Sequence, residues 1–110
     1  MITYLNIEGY ESDLYDRRPP MGRMRRIKYE FRFENGFGAM VTSRGQYSET
    51  PQEWWELSVI RRDKLDRWVP DSDYDAEITS GAGRYLTDAT VRDLLEQIKN
   101  LDMSEEERWT

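Results

Sequence analysis

This sequence predicts an α+β fold: an antiparallel sheet of four to five strands with one C-terminal amphipathic helix packed on one face. Three observations predict it. Ile27, Tyr29, Phe31 and Phe33 alternate with Arg26, Lys28, Glu30 and Arg32, the period of a strand with one buried and one wet face. Asn35-Gly36 follows that run, a dipeptide suited to a tight hairpin because both positions tolerate positive φ. Near the end the period lengthens, and Val91, Leu94, Leu95, Ile98 and Leu101 fall on one helical stripe.

At 110 residues the chain forms one domain. Residues 1–25 read as an arm and loop region holding a basic segment, 26–80 as antiparallel strands, 87–101 as the helix and 102–110 as a tail. Residues 1 to 8 start as a weak strand or pinned arm, since the alternation of Ile2 and Tyr4 breaks at Leu5. From Gly9 to Met24 a loop is expected, with Pro19-Pro20 enforcing an extended path. Residues 26–33 are the first firm strand, and GFGAMVTS is its return strand. The hairpin register stays open. A two-residue turn sets Met40 opposite Phe31, whereas one more loop residue brings Ala39 and Val41 to the core.

SRGQYSETPQ is a polar loop, and EWWELSVIRR a further strand on which Trp55, Leu57 and Val59 share a face. DKLD turns a second hairpin into a strand from Arg67, where Pro70 marks an edge or a bulge. DSDYDAEI reads as resumed strand alternation through Tyr74, Ala76 and Ile78. A glycine-rich loop, SGAGRY, precedes the helix, whose N-cap is Thr87 with Asp88 complementing the dipole. In the tail, Ser104 and Glu107 could cap one more turn, or the segment could fray.

Charged residues make up 35% of the chain and apolar ones 37%, but 13% are aromatic, too many for a disordered polymer. The core must therefore be small and ring-rich. Formal charge is −6. Residues 17 to 28 hold Arg17, Arg18, Arg23, Arg25, Arg26 and Lys28 without an acid, a local +6; ten basic residues against twenty-two acids leave −12 elsewhere. An acidic body argues against a general nucleic-acid binder. There is no cysteine and no histidine, which excludes disulfides, thiolate sites, most zinc sites and many acid–base schemes. No apolar run approaches a membrane span or signal segment, so neither a membrane association nor export is expected, and the cytoplasm is the expected location.

At FENGFGAMV, WWELSVI and YLTDATVRDLLEQIKNL the chain resembles a loose group of small bacteriophage-encoded proteins. Their shared pattern is an FENG-type hairpin with a small-residue return strand, a Trp-Glu-Leu strand and a YLT-led final helix. The resemblance covers roughly residues 29 to 101. Phe37 stands where such proteins usually carry Tyr, and the basic arm falls outside the match. The resemblance implies the fold and a phage origin, with the bacterial host cytoplasm as location; it implies no activity.

Four constellations invite a chemical reading. The basic segment, continuing into Arg26, Lys28 and Arg32, could contact phosphates, with Tyr29 and Phe31 interleaved. Strand geometry sets those rings on the opposite face from the charges, so the plainer expectation is a solvated face paired with acids such as Glu53 and Glu56. Asp71, Asp73, Asp75 and Glu77 begin like a calcium loop, but Ala76 and Ala82 stand where Gly and Glu are needed. On a strand, Asp73, Asp75 and Glu77 simply point together into water, and no metal is expected. Gly81-Ala82-Gly83-Arg84 precedes a helix like an anion loop, yet Leu86 replaces the third glycine. Finally, adjacent Trp54 and Trp55 face opposite ways on a strand and cannot enter one core. Internal cover of the outer ring is expected; an exposed one would mark a hot spot for a partner.

The functional expectation is a small non-enzymatic accessory protein without cofactor or small-molecule substrate. It binds another protein, itself as a homodimer or a host factor, through Trp54 and the basic flank Arg23, Arg25, Arg26, Lys28 and Arg32. One alternative is a nucleic-acid-binding module using residues 17–32; another is a minor virion component.

Overall fold

A computed structural model describes residues 4–18, 27–43, 54–79 and 86–101. Five strands are present there: β1 (Leu14–Arg18), β2 (Lys28–Arg32), β3 (Phe37–Ser43), β4 (Trp55–Arg62) and β5 (Trp68–Pro70). They lie side by side in chain order, each pair antiparallel. Two helices accompany them, α1 (Ser72–Thr79) and α2 (Asp88–Lys99). The architecture is α+β.

One face of the sheet is the core. Tyr29 and Phe31 of β2, Phe37, Ala39 and Val41 of β3, and Trp55, Leu57 and Val59 of β4 are all buried there. Helix α2 packs over β3 and β4 and turns Val91, Leu94, Leu95 and Ile98 into that layer. Burying four such side chains contributes on the order of 6–12 kcal/mol before chain entropy is counted. Thr87 caps the helix, its Oγ1 accepting from Thr90 N at 3.2 Å. Helix α1 rests against β4 beside α2, and its Tyr74 ring meets Phe37 edge-on at 4.8 Å.

Residues 4–13 occupy the part of the layer above β2. They form no strand; Leu5 and Tyr10 are buried, and Tyr10 stands edge-on to Phe31 and Phe33. Polar contacts pin this arm along α2. Asn6 N donates to Asp88 Oδ2 at 3.1 Å, Arg92 Nη1 donates to Asn6 O at 2.9 Å, and Tyr10 Oη donates to Glu96 Oε2 at 2.7 Å. Lys99 Nζ closes the series on Asp13 Oδ2 at 3.0 Å. The arm alternative for the N-terminal residues is therefore the one observed over residues 4–8.

Two expectations need correction. The loop expected from Gly9 to Met24 contains a short 3₁₀ turn, Glu11–Asp13, and strand β1. An irregular edge strand carries no alternation to read: Leu14 pairs with Phe31 and Asp16 with Glu30, so Tyr15 sits in a bulge and the faces switch. The segment DSDYDAEI is helix α1 rather than a strand, so antiparallel strands do not run through to residue 80. Tyr74 and Ile78, four apart, both touch the core, as helical spacing demands. Its start signal is Asp71, whose Oδ1 accepts from Tyr74 N at 3.1 Å while Asp75 N bonds Asp71 O at 2.9 Å.

The hairpin register, open in the sequence, is set by its loop. Phe33 N donates to Phe37 O at 2.8 Å and Gly36 N to Phe33 O at 3.2 Å, enclosing Glu34, Asn35 and Gly36. Only Gly36 takes positive φ, 88°. This is a turn with one left-handed residue and a bulge, not the tighter primed pair. The extra loop residue settles the register: Phe31 faces Ala39 and Tyr29 faces Val41. The β4–β5 loop repeats the design, with Asp63 N on Arg67 O at 2.8 Å and Asp66 at φ 61°. Pro70 ends an edge strand, as its missing N–H allows.

Candidate protein-binding surface

The second face of the sheet is the candidate surface; among the described residues no helix packs on it. Register partners share a face, which places four rows there. Arg18, Lys28, Thr42 and Glu56 form one, and Asp16, Glu30, Met40 and Ser58 the next. Arg32, Gly38, Ile60 and Pro70 follow, and then Arg62 with Trp68.

Gly38 keeps this face flat. A Cβ there would run into the Phe31 carbonyl oxygen and stand 3.2 Å from Ile60 Cγ1. Beside it the Arg32 guanidinium carbon lies 3.3 Å from the ring centre of Tyr15 and 5.2 Å from that of Trp68. The bulge in β1 delivers Tyr15 to this face, and the start of β5 delivers Trp68. Arg32 Nε also pairs with Glu30, two residues back on the same strand. Sequence reasoning missed both rings, because a bulge erases the period that would place Tyr15 and β5 is too short to show one.

At the other end of the sheet, Trp54 directly precedes β4 and is 43% exposed, whereas Trp55 is buried against Tyr29 at 5.7 Å between ring centres. The opposed directions of the pair were legible, and the outer ring is covered only in part. Ser43 pairs with Trp55 and bonds Ile27 through both its N–H and its Oγ, so Trp54 and Lys28 leave the same end of the sheet. Arg17 and Arg18 close β1 at that end. Arg17 lies 5.5 Å from the ring centre of Tyr4, itself 49% exposed. The Tyr29 hydroxyl accepts from Leu5 N at 3.2 Å and tethers the arm bearing Tyr4; burial raises that phenol above its ordinary pKa.

Of the basic residues singled out from sequence, Lys28 and Arg32 stand on this face, and Arg23, Arg25 and Arg26 lie outside the described residues. So do Glu53, the Gly81-Ala82-Gly83-Arg84 loop and the tail from 102. Two ion pairs run along single strands, Arg18 with Asp16 at 3.2 Å and Arg32 with Glu30. Asp71 and Asp75 are engaged by the fold rather than pointed into water with Asp73; the Glu77 side chain lies outside the described residues. Asp71 is buried, capping α1 and facing Arg61 at 3.5 Å. Asp75 Oδ1 accepts from Val59 N at 3.0 Å, serving β4 just beyond the end of β5. Among the described residues no group of three or more acidic side chains is gathered as a metal ion would need.

No described helix is long and apolar enough to cross a membrane. No family model, curated protein or solved structure matches the chain.

Proposed function

We propose that this chain is a small, non-enzymatic, phage-type accessory protein that acts by binding another protein through the open sheet face and the Trp54 end. The observation that carries the reading is the exposure of Trp54 at the start of β4, while Trp55 next to it is fully buried. Exposed Trp and Tyr among arginines are the residues that dominate protein–protein binding energy. A sequence with neither histidine nor cysteine offers no Ser–His or Cys–His pair to set against it.

Binding at the face is favoured over strand addition at the edges. β1 is short, has mostly exposed charged side chains and is followed by Pro19-Pro20; β5 ends on Pro70. Charges and prolines block strand pairing.

A pull-down with the purified chain, wild type against Trp54→Ala, tests the reading, with mass in solution measured alongside for self-association. The expected result is a protein, or a second copy, retained by the wild type and lost by the variant. Identical, empty partner sets and an unchanged monomer mass would sink it.

The acid-free stretch from 17 to 28 sustains a second reading, a nucleic-acid module. It requires binding that weakens steeply with salt and disappears when Arg17, Arg18, Arg23, Arg25 and Arg26 become Ser. The pairing of Arg18 and Arg32 with acids of their own strands favours the protein reading, since a neutralised cation releases fewer counterions on meeting a phosphate.

A further inference from the structure

We propose that residues 4–10 are a releasable strap, which lifts off the groove between β2 and α2 as one unit while the sheet and α2 stay folded. The manner of attachment points to this. Leu5 and Tyr10 are buried anchors with Ile7 partly buried between them, whereas Tyr4, Asn6, Glu8 and Gly9 are exposed. Each hydrogen bond described from this segment to β2 or α2 has a side chain at one end or both. Leu5 N donates to Tyr29 Oη, Asn6 N to Asp88 Oδ2, Arg92 Nη1 to Asn6 O, and Tyr10 Oη to Glu96 Oε2 and Arg92 O. Among the described residues its backbone-to-backbone bonds stay within the arm, Tyr10 N to Ile7 O and Asp13 N to Tyr10 O. A segment fastened by few buried anchors and by side-chain clips opens at lower free energy than a strand held in a ladder.

The body keeps its own supports when the strap lifts. Continuous ladders join β2, β3 and β4, and α2 is seated on β3 and β4 through Val91, Leu94, Leu95 and Ile98. Asn35 ties the last turn of α2 to the hairpin. None of these contacts passes through residues 4–10. The 3₁₀ turn Glu11–Asp13 supplies the hinge: it buries no side chain and its backbone bonds are local, so it unwinds without uncovering the core. Lifting lays open a row of rings. Tyr29, Phe31 and Phe33 stand nearly parallel with successive centres 6.3 and 6.5 Å apart, and Tyr10 covers the last two edge-on. The strap therefore governs access to an apolar groove on the side of the sheet opposite the open face.

Native-state hydrogen exchange of the full chain, followed by NMR in low urea, tests the proposal. After correction for intrinsic rates, the amides of Leu5, Asn6 and Tyr10 should exchange together and about tenfold or more faster than those of Ala39 and Val41 in the β2–β3 ladder. Their urea dependence should be the shallower, because lifting the strap exposes less surface than unfolding does. Tyr10→Phe should speed the strap amides severalfold by removing the bond to Glu96. Ile60→Ala, a truncation of a buried side chain on the opposite face, should speed the ladder amides about tenfold or more and leave the strap amides unchanged. Ile60→Val makes the same separation on a smaller scale where the Ala variant does not fold. Strap amides that match the ladder in rate and urea slope, or that follow the Ile60 substitution by the same factor, reveal one cooperative unit and overturn the proposal. Strap amides exchanging as in an unfolded peptide also overturn it, since nothing is then fastened, and so does a Tyr10→Phe variant with wild-type strap rates.

Discussion

The side-chain amide of Asn35, at the tip of the β2–β3 hairpin, donates to the carbonyl oxygen of Ile98 in the last turn of α2, at 2.8 Å. The same nitrogen is 3.1 Å from Lys99 O and 2.9 Å from Leu101 O, while its Oδ1 accepts from Phe37 N at 3.0 Å. One side chain thus shapes its own turn and satisfies carbonyls that a helix end leaves without partners. Asn35→Ala is expected to cost about 1–3 kcal/mol, as loss of several part-buried hydrogen bonds does. Asn35→Asp should cost at least as much, because a carboxylate offers no donor and repels the negative end of the helix. Urea denaturation of the three proteins measures both; an Asp variant as stable as wild type would refute the clamp.

Gly38→Ala tests the flatness of the open face. The added carbon meets the Phe31 carbonyl, which is backbone held in the β2–β3 ladder and cannot swing aside. A loss of about 1–3 kcal/mol is expected, the usual penalty of an overpacked site. Thermal melting detects it, and a variant melting with the wild type would show that the strands separate more easily than this geometry allows.

The two hairpin loops predict substitutions of opposite sign. Gly36 at φ 88° and Asp66 at φ 61° hold the same left-handed place in equivalent loops. Gly36→Ala should destabilise by about 1–2 kcal/mol, and Asp66→Gly should stabilise by several tenths, since the penalty for a side chain at positive φ is removed. The Arg62–Asp66 ion pair, 3.7 Å long and well exposed, offsets little of that gain. Denaturation midpoints of the two variants should move in opposite directions.

These loops also show what a linear sequence conveys. Alternation from Ile27 to Phe33 was legible because β2 has one buried and one wet face. The spacing from Val91 to Ile98 was legible because α2 has a single buried stripe. Neither signal exists in β1, where edge position and the Tyr15 bulge leave Leu14 as the one side chain of the strand packed against the core cluster. In DSDYDAEI the residues Tyr74 and Ile78 satisfy period two and period four alike, and the deciding mark was Asp71 as an N-cap. The candidate surface was legible in its cations and in the opposed pair Trp54-Trp55. Tyr15 and Trp68 were not, since each reaches it through a long-range arrangement: a bulge and a short edge strand.

Tyr10 and Glu96 give the fold a pH dependence of known sign. Burial, reinforced by the hydrogen bond to Glu96, pushes the Tyr10 phenol up from 10.0 to about 12. The same hydrogen bond, followed by that from Asn100, holds the Glu96 carboxyl below its ordinary 4.5. For Tyr10 the stabilisation is complete below pH 10.0 and is lost as pH rises through about 12, because the unfolded chain releases its proton first. For Glu96 it is complete above the unfolded value and lost as pH falls through the lower folded one. Tyr10→Phe should therefore be less stable than wild type at neutral pH, and the gap should narrow at both acid and alkaline extremes. Denaturant midpoints across that range measure it, and absorbance titration of the phenols should show one fewer group ionising near pH 12. A gap constant from acid to alkali would mean that the hydroxyl and the carboxylate do not exchange this bond in solution.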